Sequence, residues 1–600
     1  MKIRVADFIA AFLAQKNVTD VFTVTGGGAM HLNDAFGKNK DLHCVYNHHE
    51  QACAIAAESY TRLTERIAAV CVTSGPGGTN AITGVLGGWL DSIPMFIVSG
   101  QVKFTTTIKS TDVPLRQLGD QEFNIADCVS TMTKYAFMVT EPNEIRYHLE
   151  KAFYLATNGR PGPVWLDIPL NVQGAIIETD ELKPYDSAED ESILPDPLGA
   201  DVIERFIGKL QESKYPVVFA GDGIRRGKAY AEFLTAIDRL GIPVVTAWNA
   251  YDQIWDEHPL ACGRPATVGT RGGNFVVQNS DFLIVLGSRL TIRQISYNHD
   301  DFARYAYKVM VDIDEAELRK PTIKIDFPIH ADVKDFLQKF IDNGFVNRND
   351  IHKKWLDWCR DVNARYPVVT PEFYKKQSPI NPYVFMKHLS EQLDEGEVIV
   401  SSNGSACVCS FQAIHLKKNQ RLYTNAGCAA MGYGLPAALG AAVANKGKRV
   451  ICLEGDGSLQ MNLQELQTIV HNKLNVKIVV INNDGYHSIR QTQANLFDSD
   501  FYGVSSASGV SFPCLEKIAQ AYVIPYYKID NISTMDTIIS EMLEKDGFVI
   551  CEVMADPQQN FEPKTSSKRM PDGTVVSPPL EDMYPFLSRE ELAENYIEKR

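Results

Sequence analysis

Gly455-Asp456-Gly457-Ser458 and the later pair Asn482-Asn483 are separated by one helix-sized interval. A carboxylate and an amide oxygen, with glycines that let the backbone approach, are hard oxygen ligands suited to Mg²⁺ carrying a diphosphate. The run Arg449-Val450-Ile451-Cys452-Leu453 predicts a buried strand that delivers Asp456 to its C-terminal end. A helix-period stretch over 459–471 follows, and a second strand over 476–481 delivers Asn483, which makes a βαβ unit with adjacent strand ends. Gly-Asp-Gly alone also serves as a strand-end turn. The Asn-Asn pair at this offset favours the metal reading.

A second constellation lies in the first third of the chain. Asn47-His48-His49-Glu50-Gln51-Ala52 precedes a helical stretch over 54–63. A strand over 20–24 runs into Thr25-Gly26-Gly27-Gly28, and another over 67–73 ends at Thr73 before Ser74-Gly75-Pro76-Gly77-Gly78-Thr79-Asn80. Strands that break at glycine predict an α/β fold, with loops gathered at the carboxyl ends of a parallel sheet, where such sheets bind ligands. Glu50 has a bland reading too, as an acid favoured by a helix N-terminus. A third loop, residues 425–436, places the bulky Met431 among small residues, beside Gly432. A methionine there also reads as core filler.

The chain has 600 residues, more than one core supports, so two to four domains are expected. An apolar content of 45% and a charged content of 22% are those of a soluble globular protein. A net charge of −15 disfavours nucleic acid and anionic membrane as partners, and no apolar run is long enough to span a bilayer. The start is an amphipathic segment, not a signal-peptide core. Twelve scattered cysteines, without Cys-x-x-Cys, read as reduced thiols of a cytoplasmic protein; Cys407 and Cys409 fall in a predicted strand.

Three blocks are expected: 1–175, 198–345 and 380–600. An acidic, proline-containing linker over 185–197 and a charged connection over 347–382 separate them. The first and third look like related α/β layers. In the middle block, apolar strands run into Gly221-Asp222-Gly223, into Gly287-Ser288-Arg289 and into Asp312. A lone Gly-x-Gly is weak evidence for a nucleotide.

Taken together, these motifs resemble the thiamine-diphosphate (ThDP) enzymes of the acetolactate synthase family, over nearly the whole chain. The resemblance implies three Rossmann-like, doubly wound parallel-sheet domains: pyrimidine-binding, middle and diphosphate-binding. It implies that Asp456, Asn483 and the Gly485 carbonyl ligate Mg²⁺, and that Gly455, Gly457, Ser458 and Gly432 cradle ThDP. Gly26, Gly27, Thr73 and Asn80 would line the pyrimidine side. Glu50 would share a proton with the aminopyrimidine N1′, burial keeping its carboxyl able to do so, and Met431 would wedge under the cofactor. Gln121 falls where the family has an active-site glutamine, and His49 and His487 are candidate proton carriers. The middle block implies FAD, held by Gly221, Gly223, Arg289, Arg293 and Asp312. There Thr291-Ile292 replace the paired aspartates of acetolactate synthases, and a vestigial domain or one holding ADP would fit as well.

The implied chemistry is decarboxylation of a 2-keto acid, pyruvate, and ligation of the two-carbon unit to an acceptor carbonyl. The pyrimidine domain of one subunit would face the diphosphate domain of another, in a homodimer or homotetramer. Two departures bear on the acceptor: Thr492 stands where the family has a tryptophan, and Thr25 where it has a proline, with His31 following. With the segment 563–587, these resemble a branch that attaches a two-carbon unit to keto sugar nucleotides. The same motifs would also serve a pyruvate oxidase or decarboxylase, in which flavin or a proton replaces the carbon acceptor. A catalytically silent homologue is disfavoured, since such a chain has no physical need for Glu50, Met431, Asp456 and Asn483 together. A nicotinamide dehydrogenase is disfavoured too, because Gly26-Gly27-Gly28 lacks the Gly-x-Gly-x-x-Gly spacing. The polar stretch 564–573 reads as a lid over the cofactor or a surface tail.

Overall fold

The computed structural model describes residues 1–497, 500–569, 572 and 574–597. Three parallel sheets organise them. The first contains β1 (Asp20–Thr23), β2 (His43–Tyr46), β3 (Ala69–Val72), β4 (Phe96–Gln101), β5 (Tyr135–Met138) and β6 (Val164–Pro169), in the order β2-β1-β3-β4-β6-β5. The second contains β7 (Pro216–Ala220), β8 (Val244–Thr246), β9 (Phe282–Leu286), β10 (Tyr307–Asp312) and β11 (Phe327–His330), in the order β8-β7-β9-β10-β11. The third contains β12 (Val398–Ser401), β13 (Arg421–Tyr423), β14 (Val450–Gly455), β15 (Val476–Asn482), β16 (Tyr526–Ile529) and β17 (Val549–Met554), in the order β13-β12-β14-β15-β17-β16. The first and third orders are the same permutation, so these domains are structural repeats that the sequence does not display as a repeat.

Central strands such as β3, β7 and β14 are apolar over runs of consecutive residues because helices cover both faces of each sheet. In the third sheet the strand order reverses between β12 and β14, which opens a crevice at their carboxyl ends. Ser402 to Ser405 follow β12 and Asp456 follows β14, so the crevice is where the metal candidates arrive.

The outer domains pack on one another through helices Glu50–Thr64 and Gly434–Ala444. Small residues permit the close approach: a Cβ on Gly440 would strike the Ala56 carbonyl. Residues from both helices and both sheets share one core, including Ile55, Val70, Leu439 and Val450.

Three local expectations need correction. The helix expected over 459–471 is two pieces, Asp456–Leu459 and Glu465–His471, because the chain turns through Asn462, whose side chain is spent on Gly432. The connection over 347–382 carries a helix, Asp350–Arg365, whose Trp355, Cys359 and Val362 bury against the middle domain. Cys407 and Cys409 lie on helix Ser405–Ala413, not on a strand; all twelve cysteines are free thiols. Beyond the 564–573 stretch, residues 580–585 are strapped to the middle domain. Arg271 donates to the Pro585 carbonyl at 2.5 Å, Asn274 to the Leu580 carbonyl at 2.8 Å and Gln278 to Glu581 at 2.8 Å. Within the lid candidate 564–573, Met570, Pro571 and Gly573 lie outside the described residues.

Candidate active site

β14 and β15 are paired in register, Gly455 opposite Ile481, so Asp456 and Asn483 emerge side by side. Asp456 is buried, and its Oδ1 accepts the Gly457 N–H at 2.8 Å while Oδ2 accepts the Gly485 N–H at 2.9 Å. Desolvation dominates its titration and pushes it up to about 6 despite those donors. A divalent cation would relieve that burial penalty. Asn483, also buried, donates through its amide nitrogen to Ser405 Oγ at 2.9 Å, which turns its carbonyl oxygen the other way. Gly485 has φ +125°, and a Cβ there would strike the Val504 carbonyl, so the turn requires glycine. Its carbonyl accepts from His487 N at 3.1 Å and keeps a second lone pair.

Around these ligands lies a cradle. A Cβ at Gly455 would meet nothing within 4 Å, which leaves space, whereas Gly457 is packed against the Tyr486 ring. Ser458 Oγ pairs with Ser402 Oγ at 2.6 Å and accepts the Gly432 N–H at 2.8 Å. Gly432 has φ +78° and Ala429 φ +53°, so the loop bends sharply on either side of Met431. Met431 is 39% exposed, which argues against core filler. Among the described residues no group of three or more His, Cys, Asp or Glu side chains gathers. One carboxylate, one amide and one carbonyl suffice where a diphosphate supplies the remaining oxygens.

In the first domain the glycine loop and the later helix entry converge. Gly28 N donates to Thr73 Oγ1 at 3.0 Å, a Cβ on Gly26 would strike Thr73, and Gly27 faces open space. Glu50 opens its helix, with His49 as N-cap, and accepts from Asn80 Nδ2 at 3.0 Å. Glu50 is half-buried in this chain. Gln121 is exposed with φ +56°, its carbonyl pressed against Gly75. His487 is buried with its ring 5.2 Å from that of Phe561, and neither ring nitrogen has a hydrogen-bond partner. Burial lowers it to about 4, so it is neutral near pH 7.

The structure brings the candidate residues into two groups rather than one. Glu50 begins the helix whose Ala56 meets Gly440 and whose Glu58 accepts the Tyr433 hydroxyl at 2.8 Å. Residues 50 to 58 span about 12 Å of helix, so Glu50 lies about that far along the helix from Glu58, the residue that meets the Met431 loop.

A cavity of about 840 Å³ opens at the carboxyl ends of the middle sheet, walled in part by Gly223, Arg289, Arg293 and Asp312. Asp312, at the end of β10, is buried, raised to about 6 by desolvation, and accepts the Asp314 N–H at 2.9 Å. Arg293 lies 4.8 Å over the Trp248 ring. Gly221 does not line the cavity; a Cβ there would strike the Gly287 carbonyl, so this glycine serves loop packing. Thr291 caps a short helix with Gln294.

Two buried carboxylates were missed. Glu454, in the residue before the Gly-Asp-Gly run, accepts the Leu435 N–H at 2.9 Å, leaves Oε2 unpartnered and is raised by burial to about 7. Glu465 accepts from Asn47 Nδ2 and from His48 N, both at 3.0 Å, joining the third domain to the first. Nothing local marks either one; Glu465 lies in a stretch that reads as an ordinary helix surface.

Residues 3–122, 203–340 and 402–553 match the N-terminal TPP binding domain, the central domain and the C-terminal TPP binding domain of the thiamine pyrophosphate enzymes. The chain is 29% identical to acetolactate synthase isozyme 1 large subunit of Escherichia coli over 93% of this chain and 95% of that one. It is 30% identical to the Lactococcus lactis acetolactate synthase large subunit over 92% of each chain. It is also 30% identical to a chloroplastic acetolactate synthase of Zea mays, over 94% of this chain and 87% of the relative. These relatives do not favour the keto-sugar-nucleotide branch, nor an oxidase or simple decarboxylase. No helix among the described residues is long and apolar enough to cross a membrane. With three matching domains in order and this similarity along nearly the whole chain, the chain belongs to the ThDP-dependent enzymes of the acetolactate synthase large-subunit family.

Proposed function

We propose that the protein decarboxylates pyruvate and ligates the two-carbon unit to a second keto acid, with ThDP and Mg²⁺. The observation that carries this reading is the meeting of Asp456, Asn483 and Gly485 at adjacent strand ends above a glycine cradle. Bound ThDP supplies the nucleophilic carbon and the electron sink. The chain's own residues do the rest. Asp456, Asn483 and the Gly485 carbonyl hold the metal, and Ser458 with the backbone at Gly455, Gly457 and Gly432 positions the diphosphate. Met431, exposed between two left-handed turns, would pack against the bound cofactor. Glu50 holds a proton at the pyrimidine edge, oriented by Asn80, with Gly26, Gly27 and Thr73 forming the wall beside it. Gln121 reaches the acceptor side. His487, buried and neutral, packs the metal loop rather than carrying protons.

A second copy completes each site in this reading, in a homodimer or homotetramer. The exposure of Met431 and the half-burial of Glu50 support this arrangement. The cavity with Gly223, Arg289, Arg293 and Asp312 suits a dinucleotide, with guanidinium groups for phosphates and a strand-end carboxylate for hydroxyls. FAD is the proposed occupant. Twelve free thiols support a reducing, cytoplasmic setting.

The test is CO₂ release from pyruvate by purified protein with ThDP and Mg²⁺, with mass analysis of the product. Acetolactate formed from pyruvate alone is expected. Consumption only in the presence of a different carbonyl compound would replace the acceptor, and no consumption would remove pyruvate as donor.

A further inference from the structure

We infer that Asp91 is a positioning residue that couples the middle-domain cavity to the loop carrying Met431, so that a nucleotide in the cavity tightens ThDP binding. The inference rests on the proposed roles of that loop and that cavity. Residues 425–433 belong to both sites. Ala426 and Gly427 line the cavity, while Gly432 N donates to Ser458 Oγ in the diphosphate cradle at 2.8 Å.

Asp91 ends helix Pro76–Leu90 with its side chain 5% exposed. Its Oδ1 accepts the Gly427 N–H at 2.9 Å, and its Oδ2 accepts Arg62 Nη2 at 2.8 Å. Arg62 is itself buried and donates through Nε to Glu58 at 2.9 Å; Glu58 in turn accepts the Tyr433 hydroxyl at 2.8 Å. One buried ion cluster therefore grips the loop on both sides of Met431. There is little slack, since a Cβ on Gly427 would lie 2.7 Å from Leu90 Cβ and 2.8 Å from Asp91 Oδ1.

The coupling enters through Arg289. Its Nη2 lies 3.8 Å from Asp91 Oδ1, the same oxygen that holds Gly427, and its side chain lines the cavity and is 31% exposed. At 3.8 Å Arg289 makes no hydrogen bond to that oxygen but draws on the negative charge that also holds the Gly427 N–H. A nucleotide phosphate draws the guanidinium into the cavity, leaves Oδ1 to Gly427 and orders the loop before ThDP arrives. Linkage makes the effect reciprocal: ThDP tightens the nucleotide by the same factor.

The experiment is calorimetric titration of the apoprotein with ThDP and Mg²⁺, with and without saturating FAD or ADP, beside a direct titration of each nucleotide. The wild type should bind ThDP roughly tenfold more tightly with nucleotide present. Asp91→Asn keeps an acceptor for Gly427 but removes the charge that attracts Arg289, so ThDP affinity should cease to depend on nucleotide. Arg289→Gln, at a partly exposed position, should leave ThDP binding at its tight limit without any nucleotide. A wild type that binds nucleotide yet shows no change in ThDP affinity would overturn the coupling alone. So would an Asp91→Asn or Arg289→Gln protein that keeps the tenfold response. A wild type that binds neither FAD nor ADP would overturn the nucleotide reading of the cavity and the coupling with it.

Discussion

Asp456 and Gly485 are locked together before any metal binds: the carboxylate of one accepts the backbone N–H of the other at 2.9 Å, across the ends of neighbouring strands. The carboxylate and the carbonyl proposed to flank Mg²⁺ are thus held by the sheet, not by the ion. That is the preorganisation expected of a site that receives its metal together with a diphosphate.

Removing that carboxylate has a direct consequence. Asp456→Ala should weaken Mg²⁺-dependent ThDP binding by about 100-fold or more, as loss of a metal-site partner does. Isothermal titration with ThDP at fixed Mg²⁺ measures it, and unchanged affinity would move the metal site elsewhere.

Glu50→Gln separates proton transfer from binding. The variant should fold and bind ThDP, while exchange of the thiazolium C2 proton with deuterium slows by about 10²–10⁴-fold, the usual contribution of a positioned acid or base. NMR of quenched samples reads the exchange rate, and wild-type exchange would remove Glu50 from the mechanism.

The contact between the outer domains tests the fold itself. Gly440→Ala places a methyl group against the Ala56 carbonyl, in a helix pair with no room to separate. Overpacking of this kind costs about 1–3 kcal/mol. Denaturant midpoints of wild type and variant give the difference; an unaffected midpoint would mean that the two helices part easily.

Asp167 carries a pH dependence. It is fully buried, accepts from Ser99 Oγ at 2.6 Å and Gln101 Nε2 at 3.0 Å, and desolvation raises it from 3.8 to about 6. A folded-state pKa above the unfolded value means that the native state binds more protons between those values. The stability contributed is therefore complete below about pH 4 and is lost as pH rises through about 6, a change of about 2–3 kcal/mol. In Asp167→Asn this component should vanish, which the difference between the two melting-temperature profiles over pH 4–7 will show. Parallel profiles would assign the shift to other groups.

The positions of the candidate metal ligands were legible because each is encoded locally: an apolar strand, a glycine break and an oxygen-bearing side chain within a few residues. Asp456 and Asn483 could be placed at adjacent strand ends from hydrophobic pattern and the geometry of a βαβ unit alone. Met431 and Glu50 were legible as types, by resemblance, but not as neighbours or strangers. The helix between Glu465 and His471, the helix over Asp350–Arg365 and the helical setting of Cys407 and Cys409 were misjudged. In each case contacts from distant segments outweigh local preference, as where Asn462 turns aside to hold Gly432.

By itself the sequence determined the α/β class, the strand ends and the chemistry of the metal loop, since these depend on residues that are neighbours along the chain. Tertiary structure alone decided that the outer sheets share one strand order, that the helix opened by Glu50 packs on the helix that follows the Met431 loop, and that Gly221 serves packing while Gly223 lines the cavity. It also decided that Asp91, Arg62, Glu58 and Tyr433, spread over hundreds of residues, form one buried cluster. Such relations rest on which surfaces exclude water together, and no window of sequence contains both partners.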